Sequence, residues 1–289
     1  MQKALPYIAM LMLAAIGTAC GPRRAAEEDR TIYVSIPPLK MLVTEIVGDD
    51  FKTAVLVPPG ASPETFEPTP RQFVALNRAH LVLNVGFLEF ETALLSKIDE
   101  RAKIVDLNRG ITPISGSCCG HDHGAAKGHA HGVDPHLWLS PRALRQMAAN
   151  AYEAIHAVWP DSAKYTHNYR LLSEKLEALD RRTAGKIARS GMKSFVIYHP
   201  ALTYYARDYG VEQMAIETDG KEPSARQLGR IIGRAREEGI TKVLYERQFP
   251  ASTVAIIADD IGAEVIGIDP LREDVVANID EITEILTKP

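Results

Sequence analysis

From Thr31 onward, short runs of β-branched and aliphatic residues alternate with stretches whose apolar positions recur at helical spacing. TIYVSI (31–36) reads as the first strand, and Leu39, Leu42, Val43 and Ile46 after it follow the i, i+3, i+4, i+7 pattern of a helix. TAVLV (53–57), LVLNV (81–85) and IVDL (104–107) read as further strands, with helical patterns at 71–78 and 88–98. A second series begins at SFVIY (194–198) and continues through QMAI (213–216), KVLYE (242–246) and EVIGI (264–268). Its amphipathic stretches carry Leu228, Ile231, Ile232 and Ala235, then Val275, Ile279, Ile282 and Leu286. This alternation predicts an α/β protein built on parallel sheets covered by helices.

The middle of the chain has a different pattern. Pro160, Asp161 and Ser162 form a helix start signal, and from there to Arg189 Gly185 is the one helix-breaking residue. Leu172, Leu176, Leu179, Thr183 and Ile187 make a single stripe, on a helix that would run ~40 Å at about 1.5 Å per residue. The predicted architecture is two lobes, each with a parallel four-stranded sheet flanked by helices, joined by one long rigid helix. The boundaries are an N-terminal lobe at 31–159, a linking helix at 160–190 and a C-terminal lobe at 191–289. A rod between two lobes leaves a cleft and permits only small closure on binding.

The first 19 residues carry one lysine and then an apolar run too short to span a ~30 Å hydrocarbon core, followed by polar sequence, and read as a signal peptide. Gly17, Thr18 and Ala19 lead to Cys20 in an arrangement that resembles a bacterial lipobox, which predicts lipidation at Cys20 and a flexible tether at 20–30. The expected location is periplasmic or cell-surface, with the chain anchored to the membrane by lipid. Across all 289 residues, 46% are hydrophobic and 24% charged, fractions that exclude disordered and fibrous classes. A net charge of −4 gives no reason to expect a nucleic-acid partner, and three cysteines are too few for a disulfide framework.

Two constellations carry chemistry. The loop at 115–133 places His121, His123, His129 and His131 within eleven residues, among Gly, Ala and Lys. Such a composition builds no core, and closely spaced imidazoles on a loop suit zinc, copper or nickel as a secondary site. Cys118 and Cys119 could add thiolates, form an adjacent disulfide, or do neither. The second constellation lies just beyond strand ends, where open α/β sheets bind their ligands. The stiff segment PPGASPETFEPTP (58–70) offers Glu64 and Glu67; DPHLWLSP (134–141) offers His136; His199-Pro200 and Asp269-Pro270 end two strands of the second series. Glu64, His136, His199 and Asp269, two from each half, would close around one divalent cation. A zinc hydrolase is a competing reading, with Glu64 as general base, but no HExxH pairing is present. A metal-storing or adhesive surface protein is another.

The motifs PPGASPETFEPTP, DPHLWLSP, FVIYHPALTYYARDYG and VIGIDPL, in this order, resemble those of the zinc/manganese-binding receptor proteins of ABC metal importers, in the zinc-type branch with a His-rich loop. The resemblance runs from about residue 31 to 289. It implies a non-enzymatic, monomeric receptor that captures one ion between its lobes and delivers it to a membrane permease. Carried over, it implies Glu64, His136, His199 and Asp269 as ligands. The family usually has His where this chain has Glu64, so Glu67, a water or a loop histidine could supply that ligand instead. Zinc is favoured by the histidine at 199 and by the His-rich loop; manganese is the alternative, since carboxylates suit harder ions.

Overall fold

The computed structural model describes residues 30–99, 103–115, 132–217, 223–249 and 251–288. The signal peptide, Cys20, Cys118, Cys119 and the four loop histidines lie outside the described residues. In chain order the elements of the first lobe are β1 (Thr31–Val34), α1 (Pro37–Val47), β2 (Lys52–Val55), α2 (Pro70–Arg78), β3 (Leu81–Asn84), α3 (Glu89–Leu95), β4 (Ile104–Asp106) and α4 (Pro141–Val158). The long helix α5 (Ala163–Ser190) follows. The second lobe holds β5 (Ser194–Ile197), α6 (Thr203–Tyr209), β6 (Glu212–Ala215), α7 (Ala225–Glu237), β7 (Lys242–Glu246), α8 (Ala251–Ile261), β8 (Glu264–Ile268) and α9 (Val275–Thr287).

All eight expected strands form, and each set of four makes a wholly parallel sheet. The orders are β2-β1-β3-β4 and β6-β5-β7-β8, so the two lobes repeat one doubly wound topology. In each sheet the first strand pairs outward to the second and the chain then crosses to the other side. The switch points therefore lie between β1 and β3 and between β5 and β7. The central strands β3 and β5 are buried along their whole length, which explains their unbroken apolar character.

Helix α5 runs unbroken through Gly185 for 28 residues, as the apolar stripe requires. Ser162 caps its start by accepting the Tyr165 N–H, and Gly191, at φ 67°, ends it in the left-handed region. Its buried side chains are Tyr165, Leu172, Leu176, Leu179, Thr183 and Ile187. They pack against α1 and α4 of the first lobe and against α9 of the second. The apolar core is continuous across the lobes, from Ile32 and Leu83 through Leu176 and Ile187 to Tyr205, Ile268 and Ile279. A smaller cluster around Val196, Val243 and Ile257 fills the other face of the second sheet. Surface ion pairs such as Lys175–Glu45 and Arg182–Asp280 also tie α5 to both lobes, but exposed pairs are worth at most ~1 kcal/mol each. The shared core holds the two lobes in place.

The switch point of the first sheet is filled by the protein itself. Glu91, 2% exposed, accepts the backbone N–H groups of Val85 (2.8 Å), Gly86 (2.7 Å) and Leu88 (3.2 Å). Gly86 sits at φ +93°, and a Cβ there would come within 2.4 Å of Asn108 Nδ2, so the loop that presents these donors needs glycine. Burial outweighs the hydrogen bonds and pushes the Glu91 carboxyl up to about 7. An acid with a raised folded pKa binds its proton more tightly in the folded than in the unfolded chain, so stability falls as pH rises from about 4.5 to about 7. In urea unfolding of the metal-free protein, Glu91→Gln is expected to flatten the loss of stability across that window. An unchanged slope would mean that Glu91 ionises as freely folded as unfolded.

Candidate metal centre

The carboxyl ends of the strands in both lobes point at the junction between them. After β2, the segment to Pro70 carries five prolines from Pro58 onward and is irregular up to α2. Fixed φ at these prolines stiffens it. The Ser62 hydroxyl accepts the Glu64 N–H, and the Glu64 carboxylate turns inward at 24% exposure, whereas Glu67 is exposed. His136 stands immediately before a short 3-10 turn, Leu137–Leu139, whose three side chains are fully buried. Trp138 in this turn donates its indole N–H to the Pro270 carbonyl at 2.7 Å and pins the turn to the second lobe. His199 comes two residues after β5, its ring stacked at 26° on Phe249.

These elements bring Glu64, His136 and His199 together: one ligand atom from each, all within 4.8 Å of one another. The Glu64 Oε1 atom is 2.8 Å from His199 Nε2 and 3.9 Å from His136 Nε2. Separations of this size suit a single ion with bonds of about 2.0–2.2 Å. Both imidazoles are buried, 4% and 2% exposed, and meet edge to face.

Each imidazole is held from behind by a carboxylate. His136 Nδ1 lies 3.0 Å from Asp134 Oδ1, and His199 Nδ1 lies 2.9 Å from Glu217 Oε2. With Nδ1–H donated to the carboxylate, Nε2 is left pointing at Glu64 and, once deprotonated, offers a metal the lone pair, the arrangement that orients a histidine for a metal. Asp134 is itself fixed. It accepts the His136 backbone N–H through Oδ1, and its carbonyl accepts the Tyr204 hydroxyl at 2.9 Å. The same Tyr204 oxygen accepts the Ile114 N–H, and Ser115 and Val133 form an antiparallel bridge. Both ends of the segment expected to carry the loop histidines are thus tied to α6 beside His136.

The electrostatics follow from burial and charge. Burial works to raise Glu64, but the contact with His199 and the charges of His199 and His136 outweigh it and hold the carboxyl below its ordinary value. For His136, burial lowers the imidazole, and the charge and hydrogen bond of Asp134 more than offset this, leaving it raised. Asp134 is correspondingly lowered against its own burial. Glu246, the last residue of β7, is 7% exposed and pushed up to about 7 by burial.

A cavity of about 10 Å³ lies against these groups, lined by Glu64, His136, Trp138, Glu246, Gln248 and Leu271 among others. That volume admits one water-sized occupant. Asp269, the fourth ligand expected from sequence, follows β8 beside Pro270 and Leu271 of the cavity wall but is not in the group of three. Its Oδ1 accepts the Leu271 N–H and its carbonyl accepts the Asn278 amide. Three site residues were not anticipated: Asp134, Glu217 and Glu246. Asp134 opens the DPHLWLSP motif, Glu217 follows β6, and Glu246 ends β7, so the strand-end rule that picked out His199 and Asp269 points to the latter two as well.

Residues 32–286 match the family described as zinc-uptake complex component A, periplasmic. The chain is 31% identical over 267 residues to the high-affinity zinc uptake system protein ZnuA of Bacillus subtilis, covering 88% of this chain and 83% of that one. It is 25% identical over 280 residues to the zinc-binding lipoprotein AdcA of Streptococcus pneumoniae, covering 94% of this chain but 56% of AdcA. The chain therefore spans little more than half the length of this relative. Among solved structures, a zinc-bound ZnuA deletion mutant superposes with a TM-score of 0.79 at 32% identity, over 90% of this chain and 98% of that one.

Removing a carboxylate behind either imidazole while keeping its shape tests the geometry. Asp134→Asn and Glu217→Gln are each expected to weaken zinc binding about 10–100-fold, read by competition against a chromophoric chelator. Affinity unchanged in both would show that the imidazoles are oriented by something else.

Proposed function

Because the chain belongs to the family of zinc-uptake complex component A, periplasmic, we propose that it is an extracytoplasmic receptor that captures one zinc ion and delivers it to the permease of an ABC-type metal importer. The observation that carries this reading is the convergence of Glu64 with His136 and His199, both rings buried and backed by carboxylates. Glu64, His136, His199 and Asp269 are the proposed ligands. Glu64 comes from the first lobe, where a third imidazole would make the site more basic and softer. With a carboxylate there, the ion's double charge is met by two negative ligands in a site that excludes water.

Such a site fits capture better than catalysis. A hydrolytic zinc keeps an open position and room for substrate, whereas this cavity takes a single small occupant between two walls of protein. The donor set of two nitrogens and two oxygens suits zinc and admits manganese as a competitor. Among the described residues no helix is long and apolar enough to cross a membrane. Membrane attachment is proposed to come from lipid on Cys20 after export, and the receptor to act as a monomer that meets its permease at the outer surface. The histidines at 121, 123, 129 and 131 are proposed to gather zinc weakly near the cleft and raise its local concentration.

Metal content separates these roles. The chain with His121, His123, His129 and His131 replaced by alanine, dialysed against equal zinc and manganese, is expected to retain one zinc per chain by mass spectrometry. The unsubstituted chain is expected to retain more. One manganese would make this a manganese receptor. No retained metal would remove the cleft site from the account.

A further inference from the structure

We infer that Glu246 is an additional ligand of the captured ion, reaching the cleft from the end of β7; the inference rests on the receptor reading above. Three observations put it beside the converging ligands, although outside their 4.8 Å group. Glu246 stands at the carboxyl end of a central strand, at the β5/β7 switch point where an open parallel sheet binds its ligand. His199, one of the converging imidazoles, follows β5 on the other side of that same switch point. The Glu246 side chain also lines the small cavity together with Glu64 and His136.

The hydrogen-bond account of this side chain points the same way. Glu246 is 7% exposed, and its Oε1 has no hydrogen-bond partner among the described residues. Burying an acceptor without a donor costs stability, and a native protein retains such a group where something else completes it. The contrast with Glu91 is informative. At the matching switch point of the first lobe, three backbone N–H groups satisfy that buried carboxylate, and no ligand is needed. At the second switch point no donor to Glu246 Oε1 is found among the described residues. The neighbouring Gln248 Oε1, on the same cavity wall, is likewise buried without a donor among the described residues. Oxygen acceptors facing one small cavity, with the His136 imidazole beside them, form a surface that a divalent cation would complete and an anionic guest would not.

The ion would then be bound by His136, His199 and Glu64, which already converge, while Glu246 and the proposed Asp269, both outside that 4.8 Å group, would swing in from the second lobe when the ion arrives. A fifth donor draws the site toward higher coordination, which manganese accepts more readily than zinc. Glu246 would therefore set how sharply the receptor discriminates between the two.

The test uses the full chain with its four loop histidines replaced by alanine, so that only the cleft ion is read. Glu246→Gln keeps the shape and removes the charge. The expected results are a loss of zinc affinity of at least about tenfold, a larger loss for manganese, and a changed visible spectrum for bound cobalt(II), which reports the number of donors. The melting temperature of the metal-free variant should be unchanged or raised, because an unsatisfied buried carboxylate has been removed. Zinc affinity and cobalt spectrum both equal to those of the parent would overturn the inference while leaving the receptor reading intact. Weakened binding with an unchanged cobalt spectrum and a lowered metal-free melting temperature would overturn it too, since Glu246 would then be a structural residue. A parent chain that binds no zinc would instead overturn the receptor reading on which the inference rests.

Discussion

Two imidazoles and a carboxylate from opposite lobes are held within 4.8 Å of one another, both rings buried. Left to themselves, buried groups of this kind would seek solvent or separate. Here each histidine is anchored by a carboxylate behind it, Asp134 or Glu217; Asp134 is fixed by the His136 N–H and the Tyr204 hydroxyl, and the Glu217 N–H donates to the Tyr198 carbonyl. The rest of the structure serves this arrangement. Strand ends aim the side chains, prolines after β2 stiffen the approach of Glu64, and Trp138 ties the His136 turn to Pro270 across the cleft.

Rigidity comes from the shared core. Many two-lobed binding proteins close by bending at a flexible hinge. In this chain α5 packs against helices of both lobes, and the apolar core runs through it without interruption. Large hinge motion would have to break that packing. A preformed site between lobes that cannot separate far suits an ion, which needs donors at fixed short distances more than it needs enclosure. The paired sheets also divide the work. In one, the switch point is closed by Glu91 and backbone N–H groups; in the other, it opens onto the cleft with His199 and Glu246.

The fold was largely legible in the sequence. β-branched runs such as SFVIY and KVLYE mark buried parallel strands because such strands must be apolar on both faces. The stripe from Leu172 to Ile187 marks a helix that Gly185 does not break, since packing along both lobes outweighs the ~1 kcal/mol cost of one glycine. Six of the eight strands were expected to run one or two residues past their observed ends, as at 31–36 against Thr31–Val34, because apolar side chains continue into the turns after pairing stops; 242–246 and 264–268 match. Of the site, Glu64, His136 and His199 were each read from a glutamate or histidine beside proline in a segment that follows a strand. Glu217 and Glu246 were not picked out, although they hold equivalent positions. An acidic residue after a strand looks like an ordinary turn residue until the sheet order sets β6, β5 and β7 side by side. Asp269 was read from the same rule, and in the structure its carboxylate caps the Leu271 N–H beside the cavity.

One ion is expected among the cleft imidazoles and carboxylates, and X-ray absorption at the zinc edge of the singly loaded full chain tests this most directly. Two imidazole nitrogens are expected at about 2.0–2.1 Å, with the remaining donors oxygen at about 2.0–2.2 Å. Sulfur at about 2.3 Å would place the ion on Cys118 and Cys119 instead, and four imidazoles would place it on the histidine-rich segment. Either result would contradict a cleft receptor built on Glu64, His136 and His199.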